Sequence, residues 1–359
     1  MNDLKDVKLG KIINFKNGKK KPSENGTVPI YGGNGILGYT NISNYGECII
    51  IGRVGAYCGS VYYEEKRCWI SDNAIAAIPM EGLDVYYAYY LLKSLHLNHR
   101  HIGTSQPLLT QEILNKIDCQ IPEYHVQKKI SDLFRSIDDK IVYNEEINEN
   151  LEQQAVAVFN KFYDAATNQQ PFTTLINVLG GGTPKTGNPE FWDGSIPFFT
   201  PKDVGTPYTF KTEKYITELG LKHCNSRLYP TNTTFVTARG TVGKISLAGT
   251  PMAMNQSCYA LTSEIVDPLL VYFYVLKAVN ALKHKASGAV FDAIVTRDFD
   301  GEIINILSDA DSEAALSIIK PMMEAIHNNS KENMRLSAVR DTLLPKLMSG
   351  ELDVSDLDL

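Results

Sequence analysis

The apolar pattern of the chain contains the same comb twice. Ile130, Phe134, Ile137, Ile141, Asn144, Asn148, Leu151, Ala155, Val158 and Phe162 step alternately by four and three residues. The comb recurs 185 residues later as Ala315, Ile319, Met322, Ile326, Asn329, Asn333, Leu336, Arg340, Leu343 and Leu347. Alternating steps of this kind place one stripe along a helix that packs against another helix in coiled-coil fashion. Both combs carry an Asn pair at the same two steps, which marks a duplicated unit ending each time in a long helix. The first helix, expected over roughly 124 to 163, would be about 60 Å long. Pro122 suits its first turn, whereas Pro321, standing where the first comb has Ser136, predicts a kink or restart of the second helix.

Before each helix the pattern changes from helical spacing to short apolar runs between turn residues. Glu47–Ile51, Ser60–Tyr63 and Ala74–Ile78 predict strands, and Leu83–Leu97 predicts a helix. The second half repeats this order. The run from Ile50 to Val61, which contains Arg53 among glycines, corresponds with a gap to Phe235–Ile245, which contains Arg239. Asp72-Asn73-Ala74 falls on Asn255-Gln256-Ser257, and Gly103-Thr104 on Gly288-Ala289. The predicted division is a globular part over 1–122, a helix over 123–164, a second globular part over 165–308, a second helix over 309–350 and an acidic tail over 351–359.

Charge separates along the same boundaries. The net charge is −6, yet residues 123–164 hold nine acids against five bases and residues 309–359 hold ten against five. The remaining segments carry 25 bases against 22 acids. The acidity therefore lies on the helical parts, and the globular parts are free to meet a polyanion. Lys19, Lys20, Lys21, Arg53, Arg100, Lys185, Arg239, Lys244, Lys283 and Lys285 supply the positive charge. Lysine meets phosphate as a point charge, whereas Arg, Asn and Gln can read base edges bidentately. Tyr57, Asn73, Thr183, Thr241 and Gln256 lie on the same turns and complete the candidate DNA-contacting set.

Catalytic motifs are weak. Gly33–Gly38 matches GxGxxG, but the flanking residues predict no helix to receive a pyrophosphate. Asn188-Pro189-Glu190-Phe191 departs from the motif of adenine methyltransferases, and Glu64-Glu65-Lys66 has no suitable upstream Asp for a nuclease. His96, His99 and His101 read as a basic hydrogen-bonding loop, and the six cysteines form no CxxC pair, so no metal site is expected. The N-terminus lacks the order of a signal peptide, and no apolar run reaches membrane-spanning length. A cytoplasmic, membrane-free protein is the expectation.

Taken together, these residues resemble the specificity subunit of type I restriction-modification enzymes over essentially the whole chain. The resemblance rests on Phe15-Lys16-Asn17-Gly18-Lys19, Ile30–Ile36 with Gly38-Tyr39, Gly181-Gly182-Thr183-Pro184, Trp192, Gly194, Ile196-Pro197 and the terminal run Leu343–Leu352. Val126-Gln127 stands for that family's Glu-Gln pair, and Asp311-Ser312-Glu313 departs further. The resemblance implies an α+β chain with a pseudo-twofold repeat, in which two α/β target recognition domains are joined and separated by two long antiparallel coiled-coil-like helices. It implies a non-catalytic DNA reader of a bipartite, interrupted site, with the two parts read about one helical turn, roughly 34 Å, apart. Its implied partners are double-stranded DNA, two adenine-methylating modification subunits and, in the full complex, two restriction subunits. No cofactor is implied in this chain: S-adenosylmethionine belongs to the modification subunit, and ATP and Mg to the restriction subunit. If the seams pair antiparallel, the central Asn residues are expected to meet and set register. A non-catalytic scaffold binding proteins or glycans is the alternative.

Overall fold

The structure, a computed structural model, describes residues 4–103, 106–205, 207–285 and 293–354. The chain divides into two compact units, Met1–Ile141 with Arg335–Leu359, and Val142–Met334. The first unit contains β1 (Lys5–Lys8), β2 (Ile13–Asn17), β3 (Val28–Gly32), β4 (Gly35–Thr40), β5 (Cys48–Gly52), β6 (Val61–Glu64), β7 (Trp69–Ile70) and β8 (Ala74–Pro79). These precede α1 (Val85–Ser94), α2 (Gln111–Lys116), β9 (Asp118–Ile121) and the first part of α3 (Tyr124–Ala165). The main sheet has the order β2-β8-β5-β6, beside a smaller β4-β3-β7 sheet and the pair β1-β9. β5 is buried throughout. Its alternation sends Ile49 and Ile51 into the core under α1, and Cys48 and Ile50 into the cluster with Tyr31 and Ile70, as a strand covered on both faces requires.

The second unit repeats the plan with β10 (Asn168–Pro171), α4 (Phe172–Leu175), β11 (Asn177–Gly180), β12 (Trp192–Phe199), β13 (Tyr208–Thr209), β14 (Tyr215–Ile216) and α5 (Glu218–Lys222). β15 (Thr234–Thr237), β16 (Ile245–Ala248), β17 (Ala253–Met254), β18 (Cys258–Thr262), α6 (Pro268–Lys285), α7 (Thr296–Asp300), β19 (Ile303–Ile306) and α8 (Asp309–Met348) follow. The sheet orders are β11-β18-β15-β16-β13, β14-β12-β17 and β10-β19. Apart from β13, each strand has a counterpart in the first unit. In both units the small sheet pairs its central strand parallel to the third, β3 with β7 and β12 with β17.

The predicted strands fall on β5, β6 and β8, and the Tyr-rich helix is shorter than its apolar run suggests. Asp84 sets its start by accepting from the Tyr86 and Tyr87 amides (3.0 and 2.9 Å), a side-chain cap. It ends before His96, which stands at φ 47°. Pro122 precedes α3 rather than opening its first turn. Gln127 ties the start of α3 to this corner: its Oε1 accepts from the Asp84 amide (3.0 Å) and its Nε2 donates to the Pro122 carbonyl (2.9 Å).

The restart expected at Pro321 does not occur, because α8 is continuous through it. Both Pro321 and Ser317, whose carbonyl loses its helical donor, are exposed, so the unpaired carbonyl lies on the solvent side of the helix, where the lost bond costs least. In the second unit the seam is antiparallel. Asn144 Nδ2 donates to Asn333 Oδ1 (2.7 Å) and Asn329 Nδ2 to Asn148 Oδ1 (2.9 Å), so the central Asn residues pair as expected.

Elsewhere the buried stripe departs from the comb. Ile130, Phe134 and Ile137 are buried, whereas Ile141, Leu151 and Leu336 are half-buried. Phe159 is buried in place of Val158, and Met323 rather than Met322. An α-helix gains on a strict seven-residue repeat at every heptad, and these helices also bury residues against the sheets. Phe159 stacks on Phe273 of α6 (ring centroids 5.4 Å apart).

Arg340, which interrupts the second comb, donates from Nη1 to Asp138 Oδ1 (2.8 Å) within the first unit, with their side chains 21 % and 20 % exposed. Asp138 Oδ2 accepts from the Tyr86 and Tyr90 hydroxyls. Burial, and then the Asp138 carboxylate, raises the pKa of both tyrosines. Burial, and then Arg340, lowers that of Lys93.

Candidate nucleic-acid interface

The predicted DNA-contacting residues of the first unit gather where β5 of the main sheet and β7 of the smaller sheet release the chain. Arg53 follows β5 and is fixed at both backbone atoms: its amide donates to the Asn73 carbonyl (3.0 Å) and its carbonyl accepts from the Leu109 amide (2.9 Å). The Lys19 amide donates to the Ile70 carbonyl (3.0 Å), which holds the lysine run against the same turn. Lys19, Lys20, Lys21, Tyr57, Asn73 and Arg100 are exposed and Arg53 half-buried. The Arg100 loop reaches this corner through the pairing of Ile102 with Leu108 and of Val54 with Leu108. Lys21 Nζ donates to the Leu37 carbonyl (3.1 Å).

The second unit repeats the main backbone bonds of this corner. The Gly52 amide donates to the Ser60 carbonyl and accepts at its own carbonyl from Gly59; Thr237 does the same with Lys244 and Gly243. Ser71 donates to Tyr31 as Asn255 does to Phe199, and Lys19 to Ile70 as Gly182 does to Met254. The next residue completes the match: the Ala238 amide donates to Ser257 and its carbonyl accepts from Ile294, the two bonds that Arg53 makes. Arg53 therefore corresponds to Ala238, and Arg239 to Val54, correcting the Arg53–Arg239 pairing expected above. By the same bonds Asn73 corresponds to Ser257, and Gln256 to Asp72. The comb spacing of 185 residues also sets Arg53 on Ala238, and the turn that follows is one residue shorter in the second unit, which sets Asn73 on Ser257. The Gly103-Thr104 match to Gly288-Ala289 cannot be placed, since Thr104, Gly288 and Ala289 lie outside the described residues.

Two glycines shape each turn. Gly55 and Gly240 stand at φ +74° and +82°, and Gly59 and Gly243 at +85° and +72°, where a side chain is strained. Three residues separate the first pair and two the second, which locates the gap. Tyr57 and Thr241 stand in this interval, both exposed.

The candidates differ in how far the protein already occupies them. Arg239, Thr241, Lys244, Lys185 and Gln256 are exposed. The hydroxyl of half-buried Thr183 donates to Gln256 Oε1, which orients that amide. Arg53 Nη1 reaches the Asp72 carbonyl at 3.5 Å, and its Nε finds no partner among the described residues. Lys283 Nζ donates to the Gly243 carbonyl (2.7 Å), bracing the turn. Lys285 pairs with the buried Glu302 carboxylate (2.5 Å). Burial raises the pKa of Tyr259, and Arg239 beside it pulls the other way.

Gly33 and Asn34 of the GxGxxG match form the two-residue turn between β3 and β4, with no helix following. Among the described residues no group of three or more His, Cys, Asp or Glu is placed to hold a metal ion. None of their helices is long and apolar enough to cross a membrane.

Such a molecule, with two copies of one backbone frame carrying different polar side chains, is a sequence reader by class. Residues 1–153 and 173–336 match the family model described as Type I restriction modification DNA specificity domain. The MjaIX specificity subunit of Methanocaldococcus jannaschii is 23% identical over 310 residues, covering 78% of this chain and 72% of that one. The HindI specificity subunit of Haemophilus influenzae is 22% identical over 335 residues, covering 68% and 71%. The solved type I S subunit from M. genitalium shares the fold, with a TM-score of 0.65 at 15% identity over 99% of this chain and 97% of that one. The chain belongs to the type I restriction-modification DNA specificity family. It is a non-catalytic subunit that recognises DNA sequence alongside other restriction-modification subunits.

Proposed function

We propose that each unit reads one part of an interrupted DNA site through its glycine turns, and that the chain positions two adenine-methylating modification subunits and, in the full complex, two restriction subunits. The observation that carries this reading is the repeated hydrogen-bond frame with unequal side chains. Arg53, Tyr57 and Asn73 are offered by one copy, and Arg239, Thr241 and Gln256 by the other. Two copies of one frame with different side chains suit two different half-sites, since hydrogen-bonding side chains at base edges carry sequence information. Lys19, Lys20, Lys21, Lys185 and Lys244 would meet phosphates. Val142, Tyr143 and Ile147, exposed on α3, offer an apolar patch for a modification subunit. S-adenosylmethionine would be held by that subunit, ATP and Mg by the restriction subunit, and the assembly would act in the cytoplasm.

Selection from random DNA with the chain and its modification partner tests this. One gapped, two-part consensus is expected, with affinity falling steeply as salt rises. An ungapped motif, or binding indifferent to salt as a protein or glycan scaffold would show, would overturn it.

A further inference from the structure

A duplicated seam can pair in three ways: α3 with α8, α3 with the α3 of a second copy, or α8 with the α8 of a second copy. The asparagine layers do not choose among these. Asn144 and Asn148 occupy the comb steps of Asn329 and Asn333, so the 144–333 and 148–329 layers become 144–148 layers in an α3 pair and 329–333 layers in an α8 pair. They set register for every combination alike.

One layer does discriminate. Adding the repeat distance of 185 residues to Asp138 gives Met323, and subtracting it from Arg340 gives Ala155. The first unit thus joins Asp138 to Arg340 (2.8 Å) where the second unit has Ala155 and Met323, both 0 % exposed. Pairing two α3 helices would set Asp138 against Ala155 twice, leaving two largely buried carboxylates without their guanidinium. Pairing two α8 helices would set Arg340 against Met323 twice, leaving Arg340 only the mostly exposed Asp341 beside it (3.2 Å). Lys93, the other cation near Asp138, makes no ion pair with it in this structure: its ammonium donates to the Tyr89 hydroxyl (3.2 Å) and lies over the Tyr89 and Tyr90 rings. Removing one partner from an enclosed ion pair is far more unfavourable than replacing both.

We propose that the Asp138–Arg340 layer selects the partner of each long helix, admitting α3 with α8 and rejecting like helices from a second copy of this chain. The inference rests on the repeat and the seam, and is independent of DNA reading.

The test uses full-length chains carrying two different tags, produced together. Arg340→Ala makes the α3–α8 layer equal to the α3–α3 layer, so capture of one tag by the other should rise at least fivefold over wild type. A bridging reagent should then join Asn144→Cys in one copy to Asn148→Cys in the other, a contact that only an α3–α3 pair brings together. The charge swap Asp138→Arg with Arg340→Asp should remain at the wild-type level. Folded Arg340→Ala with wild-type capture, or capture by the charge swap equal to that of Arg340→Ala, would overturn the proposal. If Arg340→Ala loses its helical signal, Asp138→Ala with Arg340→Ala decides: raised capture with the same bridge supports the proposal, and wild-type capture refutes it.

Discussion

The first unit holds its part of the helix seam with an ion pair and two tyrosines, the second with Ala155 and Met323, although both descend from one repeated pattern. At the turn corner the relation is the reverse of uniform side chains on varied backbone: the backbone bonds repeat while the residues differ. The comparison teaches where duplication constrains a chain. A hydrogen-bonded frame made of main-chain atoms tolerates any side chain that avoids its glycine positions, so it can diverge in what it presents. A seam layer is fixed by what faces it, so Asp138 and Arg340 make sense only together.

The largest effects are expected from breaking the shared frame. A Cβ on Gly18 would overlap the Ser71 carbonyl, and one on Gly181 the Asn255 carbonyl. Gly18→Ala and Gly181→Ala should therefore each destabilise the chain by about 3 kcal/mol or more, read as a lowered midpoint in thermal unfolding. Equal losses would sharpen the equivalence of the two corners. A neutral result at either would break it.

The seam layers should respond next. Met323→Ala is expected to lose about 3 kcal/mol through its cavity, and Arg340→Ala about 2 kcal/mol through the carboxylate it strands. Copying the apolar layer into the first unit with Asp138→Met, Arg340→Ala, Tyr86→Phe and Tyr90→Phe should bring stability back to within about 1 kcal/mol of wild type. Denaturant titration checks this, and a quadruple variant less stable than Arg340→Ala would show that the ionic layer stabilises the fold in its own right.

The smallest effects concern binding. Arg239→Ala should relax the DNA consensus in one half only. Lys19→Ala, whose counterpart is Gly182, should weaken binding to all sequences alike and reduce the salt slope by about one. Methylation of site variants measures both. A uniform loss with Arg239→Ala, or a changed consensus with Lys19→Ala, would exchange their roles.

Much of this was legible in the chain. The combs placed both helices, the short apolar runs placed β5, β6 and β8, and the Asn pairs marked the residues that meet once the seams run antiparallel. These are local and periodic properties, and burial against a single facing helix reads directly as spacing. The replacement of Met322 by Met323, the continuous helix at Pro321 and the shift that sets Asn73 on Ser257 were not legible. Each depends on what packs or bonds from far along the chain: helices that bury residues against sheets, a solvent-facing carbonyl, and main-chain bonds that leave no mark on residue type. The sequence by itself determined that the protein is a duplication with two long helices and basic turns. Only the tertiary structure decided which turn residues are equivalent and which seam layer is ionic, because both are set by partners that periodicity cannot name.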